Sequence, residues 1–232
     1  MKNKSLAFIA LSFFLYGFIV GKYEAFPYNM IKSLKIFVGG QSEVPNRYQT
    51  ETSRLFKHFN PKADIAFIGD SITNGGRWSE FFPDLSVVNR GVDGDKSSDV
   101  LMRLDSIISS NPTSAFLMVG INDIRQNVPV RIILENFALI VDVLTASNIE
   151  VIVQQTIQCD VEVCGPNSVD AVNELNKGLE ALARKKGVSL LELGKLTNNT
   201  GLGSRFTYDG FHLSADGYIY WVQKISSQIG CC

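Results

Sequence analysis

Histidine is nearly absent from this 232-residue chain, which holds only His58 and His212. There are four cysteines besides, and no close Cys/His/carboxylate cluster, so a metal centre has almost nothing to be built from. Nothing in the chain calls for another cofactor. Charge of one sign is also lacking: 22 Lys and Arg stand against 23 Asp and Glu, for a net charge of −1. No basic stripe interleaves with aromatics, so nothing points to nucleic acid as a partner. Internal repeats and low-complexity tracts are missing, which sets aside solenoids and arrays. What the chain does have is apolar mass. At 45% hydrophobic residues it is ample for one buried core.

The scarcity of histidine sharpens the reading of one motif pair. Gly69-Asp70-Ser71-Ile72-Thr73 follows the apolar run 65–68, which places a serine where a buried strand gives way to a turn. Asp209-Gly210-Phe211-His212 sets a carboxylate and an imidazole three residues apart. A serine hydroxyl becomes a nucleophile when a base takes its proton, and that base needs a third group to hold its tautomer. His58 lies in a helical-looking stretch with no acid at useful spacing and reads as a surface or packing residue. If there is a base, it is His212.

Two more strand ends open into loops between those motifs. Asn89-Arg90-Gly91-Val92-Asp93-Gly94-Asp95 follows 85–88, and Gly120-Ile121-Asn122-Asp123 follows 115–119. Ester cleavage builds negative charge on the former carbonyl oxygen, so fixed donors must be aimed at it. A glycine lets its N–H approach closely, and an asparagine amide at a strand tip can add another donor. Singly, each motif is weak, since Asp70-Ser71 reads equally as a helix N-cap and Asn-Asp or Asp-Gly pairs are common turns. All of them in order, each at a strand end or before a helix, point to acyl transfer.

Ser71, Gly91, Asn122 and His212, with Asp209 ahead of the histidine, resemble the SGNH (GDSL-like) hydrolase superfamily over roughly residues 60–225. The first block reads Gly-Asp-Ser-Ile here instead of Gly-Asp-Ser-Leu, one aliphatic for another. The resemblance implies Ser71 as nucleophile, His212 as base and Asp209 as its orienting acid. It also implies an oxyanion hole from the Ser71 and Gly91 N–H groups with the Asn122 side chain. Gly-Asp-Ser-Ile-Thr, Trp78 and Asn-Arg-Gly-Val-Asp-Gly-Asp look like the branch of platelet-activating-factor acetylhydrolase-like and sugar O-acetylesterase-like members.

Apolar runs without alternation at 65–68, 86–89, 115–119, 151–155 and 189–192 predict strands buried on both faces, as in a parallel sheet. Helical patterns near 97–110, 130–147, 168–187 and 214–228 alternate with them. The expected fold is a three-layer α/β/α, flavodoxin-like sandwich with five parallel strands, spanning 63–232. Ligands in such sheets sit beyond the carboxyl ends of the strands, where Ser71, Gly91 and Asn122 would converge. Residues 22–62, punctuated by Pro and Gly, read as a connector in which 30–38 form an amphipathic helix lying on a membrane or packed on the domain.

Lys2 and Lys4 precede an uncharged run over 5–21, about 25 Å long as a helix. The exit offers only poor small-x-small cleavage sites, so 1–21 reads as an uncleaved signal anchor rather than a removed signal peptide. Its flanking lysines place the rest of the chain outside the cytoplasm. There Cys159 and Cys164 could form a disulfide worth ~2 kcal/mol, or remain free thiols. Asp70 and Trp78 are candidate substrate contacts. Trp78, Phe81 and Phe82 could line an acyl pocket, although their spacing also fits one packed helix face. The expected activity is hydrolysis of short-chain or acetyl esters on a glycan or related small molecule. Lysophospholipase or thioesterase activity, acyl transfer through the same acyl-serine, and an idle glycan-binding module are the alternatives.

Overall fold

The computed structural model describes residues 47–198 and 201–230. Five parallel strands form the central sheet: β1 (Ile65–Gly69), β2 (Val87–Gly91), β3 (Ser114–Met118), β4 (Glu150–Gln154) and β5 (Ser189–Leu191). They lie in the order β2-β1-β3-β4-β5, with Gly69 level with Gly91 on one side and Met118 on the other. The chain therefore reverses direction across the sheet between β1 and β3. At that switch point the loops leaving the two strands diverge to opposite faces and open a crevice at the carboxyl edge.

Ten α-helices are described: α1 (Arg47–His58), α2 (Ser71–Asn74), α3 (Trp78–Phe81), α4 (Ser97–Met102), α5 (Leu104–Ile108), α6 (Ile121–Arg125), α7 (Val130–Ala146), α8 (Val161–Cys164), α9 (Ser168–Lys186) and α10 (Ala215–Ile229). On one face α7 packs against α4 and α9. On the other, Phe67 of β1 stacks on Trp78 of α3 at 3.9 Å, and Trp78 meets Trp221 of α10 edge-on at 4.9 Å. The three-layer α/β core follows directly from strands that are apolar on both sides. Every residue of β1 is buried, and each large side chain such as Phe67 or Phe116 contributes roughly 1.5–3 kcal/mol by leaving water.

Two local features differ from the sequence reading. The helix expected over 97–110 is two helices, broken at Arg103, whose φ of −118° and ψ of 16° leave the helical region. Its guanidinium turns inward instead. Nη2 donates to the carbonyls of Gly69 and Arg90, at 3.0 and 2.8 Å, and Nε to Asp95 at 2.7 Å. Within the stretch read as a connector, α1 packs on α5. Its Gln49 donates to the buried carboxylate of Asp95 at 3.1 Å, and Phe56 lies under the Arg90 guanidinium at 4.7 Å. No helix among the described residues is long and apolar enough to cross a membrane, and the anchor read over 1–21 lies outside those residues.

Candidate active site

Ser71 is the first residue of α2, one step past the end of β1. Asp70 stays extended (φ −98°, ψ −151°) and its Oδ1 accepts from the N–H of Ile72 at 3.0 Å, which turns strand into helix within one residue. From α10 the Tyr218 hydroxyl donates to the carbonyl of Ile72 at 2.7 Å, and from α3 the Trp78 indole to that of Thr73 at 2.8 Å. These bonds hold the short helix at both ends.

They also correct two expectations. Asp70 and Trp78 are each only 1% exposed, so neither can touch a substrate. Asp70 caps a helix from within the core, and Trp78 fills the aromatic layer under β1. Burial pushes the Asp70 carboxyl up to about 7, helped by the charges of Asp95 and Asp123 and opposed by the Ile72 N–H.

His212 reaches Ser71 from the loop before α10. Its Nε2 lies 3.1 Å from the Ser71 Oγ, and its Nδ1 lies 2.7 Å from Asp209 Oδ2. The other Asp209 oxygen accepts from the N–H groups of Phe211 and His212, at 2.9 and 2.6 Å. Burial alone would raise the Asp209 carboxyl; the ring and backbone donors outweigh it and bring the group down to about 2. An ionised carboxylate only accepts, so Nδ1 carries the ring proton and Nε2 of the neutral ring is free to accept from Ser71. Thr207 closes the loop, its hydroxyl donating to the His212 carbonyl at 2.7 Å while accepting from the N–H of Gly210 at 2.8 Å.

Asn122 follows β3 across the switch point. One amide hydrogen goes to the Asp95 carbonyl at 3.1 Å, and the other has no protein partner among the described residues. The Ser71 N–H, at the first position of α2, likewise has no acceptor there. Gly91 behaves otherwise, and this is a third correction. Its N–H already donates to Asn89 Oδ1 at 2.9 Å. A Cβ at Gly91 would sit 2.2 Å from the Asn74 nitrogen and 2.8 Å from the Asp70 carbonyl, so the glycine is there to let β2 lie against the turn carrying Ser71. Two amides of that loop, those of Asp93 and Gly94, have no acceptor among the described residues, and Gly94 has a φ of 78° that favours glycine. Its loop is pinned on one side by Asn74, which donates to Asp93 at 2.8 Å, and on the other by Asn122.

Beneath this loop lies a buried polar network that local sequence patterns do not reveal. Asp95 pairs with Arg103, with side chains 1% and 5% exposed. Asp123 accepts from the N–H and hydroxyl of Ser97, at 2.8 and 2.7 Å. Cys159 and Cys164 are joined by a disulfide across α8. Among the described residues no group of three or more His, Cys, Asp or Glu side chains could hold a metal ion.

Residues 67–219 match the model of the GDSL-like lipase/acylhydrolase family. No functionally curated protein matches the sequence. Among solved structures, a Streptococcus pneumonia protein provisionally named a platelet activating factor superposes with a TM-score of 0.71 at 22% identity, over 86% of this chain and 98% of that one. A GDSL-like lipase from Bacteroides thetaiotaomicron gives 0.69 at 21% identity, over 78% and 97%. An acetyl-xylooligosaccharide esterase from Geobacillus Stearmophilus gives 0.60 at 18%, over 74% and 96%. At such identities these likenesses establish the fold.

Proposed function

This chain belongs to the GDSL-like lipase/acylhydrolase family and hydrolyses ester bonds, and from that premise we propose that it is a serine esterase acting through an acyl-serine at Ser71. The observation that carries the reading is the unbroken run from Ser71 Oγ through His212 to Asp209, at 3.1 and 2.7 Å. As Oγ attacks the ester carbonyl, its proton passes to His212 Nε2, and Asp209 steadies the imidazolium from the far side. The Ser71 N–H, the spare Asn122 hydrogen and the Gly94 N–H take up the negative charge on the former carbonyl oxygen. His212 returns its proton to the departing alcohol. It then takes one from a water molecule, which attacks the acyl-serine, and returns that proton to the Ser71 Oγ as the acid leaves.

The acyl group is short, acetyl or close to it, and its carrier is a glycan or related small molecule. Two features support this. Trp78 and Phe82, which could have lined a long acyl slot, are spent inside the core, and the acetyl-xylooligosaccharide esterase shares the fold. The enzyme is held at a membrane by residues 1–21 with its catalytic domain exported. Protease added to intact spheroplasts of a bacterial host should then digest the domain, while a high-salt wash should leave it on the membrane.

Ser71→Ala tests the mechanism. A fluorophosphonate should label the wild-type chain and leave the variant unlabelled, and turnover across an ester panel from acetyl to palmitoyl should fall by several orders of magnitude. Labelling that survives the substitution rules out Ser71 as nucleophile, and a preference for palmitoyl esters rules out the short acyl group.

A further inference from the structure

A cavity of about 310 Å³ opens at the carboxyl ends of β4 and β5, against α9. Its walls are mainly side-chain amides: Gln155 and Gln158 from the segment leaving β4, and Asn173 and Asn176 from α9. Asn176 is clamped to the segment, accepting from the Thr156 N–H at 2.8 Å and giving one amide hydrogen to the Thr156 carbonyl at 3.0 Å. The other three keep polar atoms in reserve. Gln155 spends its oxygen on the Leu193 N–H (3.0 Å), and Asn173 spends its oxygen on the Gln158 amide (2.8 Å), so both retain NH₂ donors. Gln158 is 95% buried, being 5% exposed, and its Oε1 has no partner.

The segment that lines the cavity is hydrogen-bonded at both ends to the chain carrying the proposed catalytic residues. Thr156 donates to the Val119 carbonyl at 2.7 Å, three residues ahead of Asn122. At the far end of that segment the Asp160 N–H donates to the Gly210 carbonyl at 2.7 Å, inside the His212 loop. Cavity and Ser71 thus share one edge of the sheet.

Resting on the esterase reading above, we propose that this cavity is a subsite for the hydroxyl-bearing carrier of the ester, an uncharged sugar unit, and not for its acyl chain. Its volume falls at the low end of the ~300–1,000 Å³ of small-molecule sites. A sugar hydroxyl both donates and accepts, so neighbouring hydroxyls can satisfy the Gln155 and Asn173 NH₂ groups and, once the Gln158 amide turns towards the cavity, its closed-off oxygen as well. An acyl chain would leave that buried oxygen without a partner, a loss hydrocarbon contact does not restore. Nor is the site built for an anion. Lys177 and Glu180 at the rim carry opposite charges, and Glu180 also pairs with Arg184 at 3.3 Å.

The test is calorimetric titration of the full chain with tetrasaccharides of xylose, glucose, mannose and N-acetylglucosamine, none esterified. At least one should bind, and Gln158→Leu and Asn173→Ala should each weaken it about tenfold, the effect of one lost hydrogen bond. Turnover of 4-nitrophenyl acetate, which carries no sugar, should stay within about twofold in both variants. Asn173 is exposed, so its variant reports even where Gln158→Leu destabilises the fold. Failure of every tetrasaccharide to bind, or unchanged binding by Asn173→Ala, overturns the subsite. Sugar binding with every ester left intact overturns the esterase reading alone.

Discussion

The two halves of the candidate site are built on different principles. Around Ser71 the supporting groups are buried and come from far apart in the chain: Arg103 donates to Gly69 and Arg90, Asp95 accepts from Gln49, and Asn122 reaches back to Asp95. Around His212 the supporting side-chain bonds are local and wet. Asp209, Thr207 and His212 bond to one another within six residues of chain, and the Asp209 and His212 side chains are 38% and 34% exposed. A polar group deep in the core is costly to leave unpaired, whereas an exposed loop can lose a bond to water at little cost. The nucleophile half should therefore be inseparable from folding, and the imidazole half separable from it.

Asp209→Asn offers the sharpest separation. The amide keeps an oxygen for the Phe211 and His212 N–H groups but no longer selects the tautomer that frees Nε2. Turnover should fall about 10³–10⁴-fold, while stability to urea falls by at most ~2 kcal/mol. A variant that loses its activity by unfolding would erase the distinction between the halves.

Arg103→Met probes the other half and should act in the opposite sense. It strips donors from two buried carbonyls and leaves the Asp95 carboxylate unpaired inside the core. Breaking a buried pair in this way costs ~3–5 kcal/mol, to be read from the urea midpoint. A loss below about 1 kcal/mol would show that the network is not what holds the Ser71 turn.

The same contrast separates what the sequence discloses from what it hides. The five strands and the Ser71, Asp209 and His212 positions are legible because each depends on neighbours in the chain: an unbroken apolar run, a strand end, a three-residue offset. The choice between Gly91 and Gly94 is not legible. Both are glycines after β2, and only the bond from Gly91 to Asn89 and the contact under Asn74 separate them. Arg103 hides in the same way. Its place in a helical pattern gives no sign that its side chain crosses to β1 and β2. Trp78 and Asp70 looked available to a substrate because their burial is decided by α10 and by β1, elements distant or face-on in space.

Acidity resolves the two halves in one titration. Asp209, held near 2 in the fold, stabilises the protein above the ordinary carboxylate range, and that contribution disappears as pH falls from about 4 to 2. Asp70, raised to about 7, has the opposite sign. Below about 4 it is protonated whether folded or not. Between there and 7 the unfolded chain releases its proton while the folded one keeps it, so stability declines with rising pH by at most ~1.4 kcal/mol per unit and then levels. Urea unfolding of the wild type, Asp209→Asn and Asp70→Asn from pH 2 to 8 separates the contributions by difference. Asp209→Asn should flatten the acid limb and leave the neutral one. Asp70→Asn, which cannot ionise, should flatten the decline towards pH 7 and leave the acid limb. If Asp70→Asn follows the wild-type curve up to pH 7, the buried carboxyl ionises in the folded chain as it does in the unfolded one, and the pH-dependence assigned to the Ser71 half is wrong.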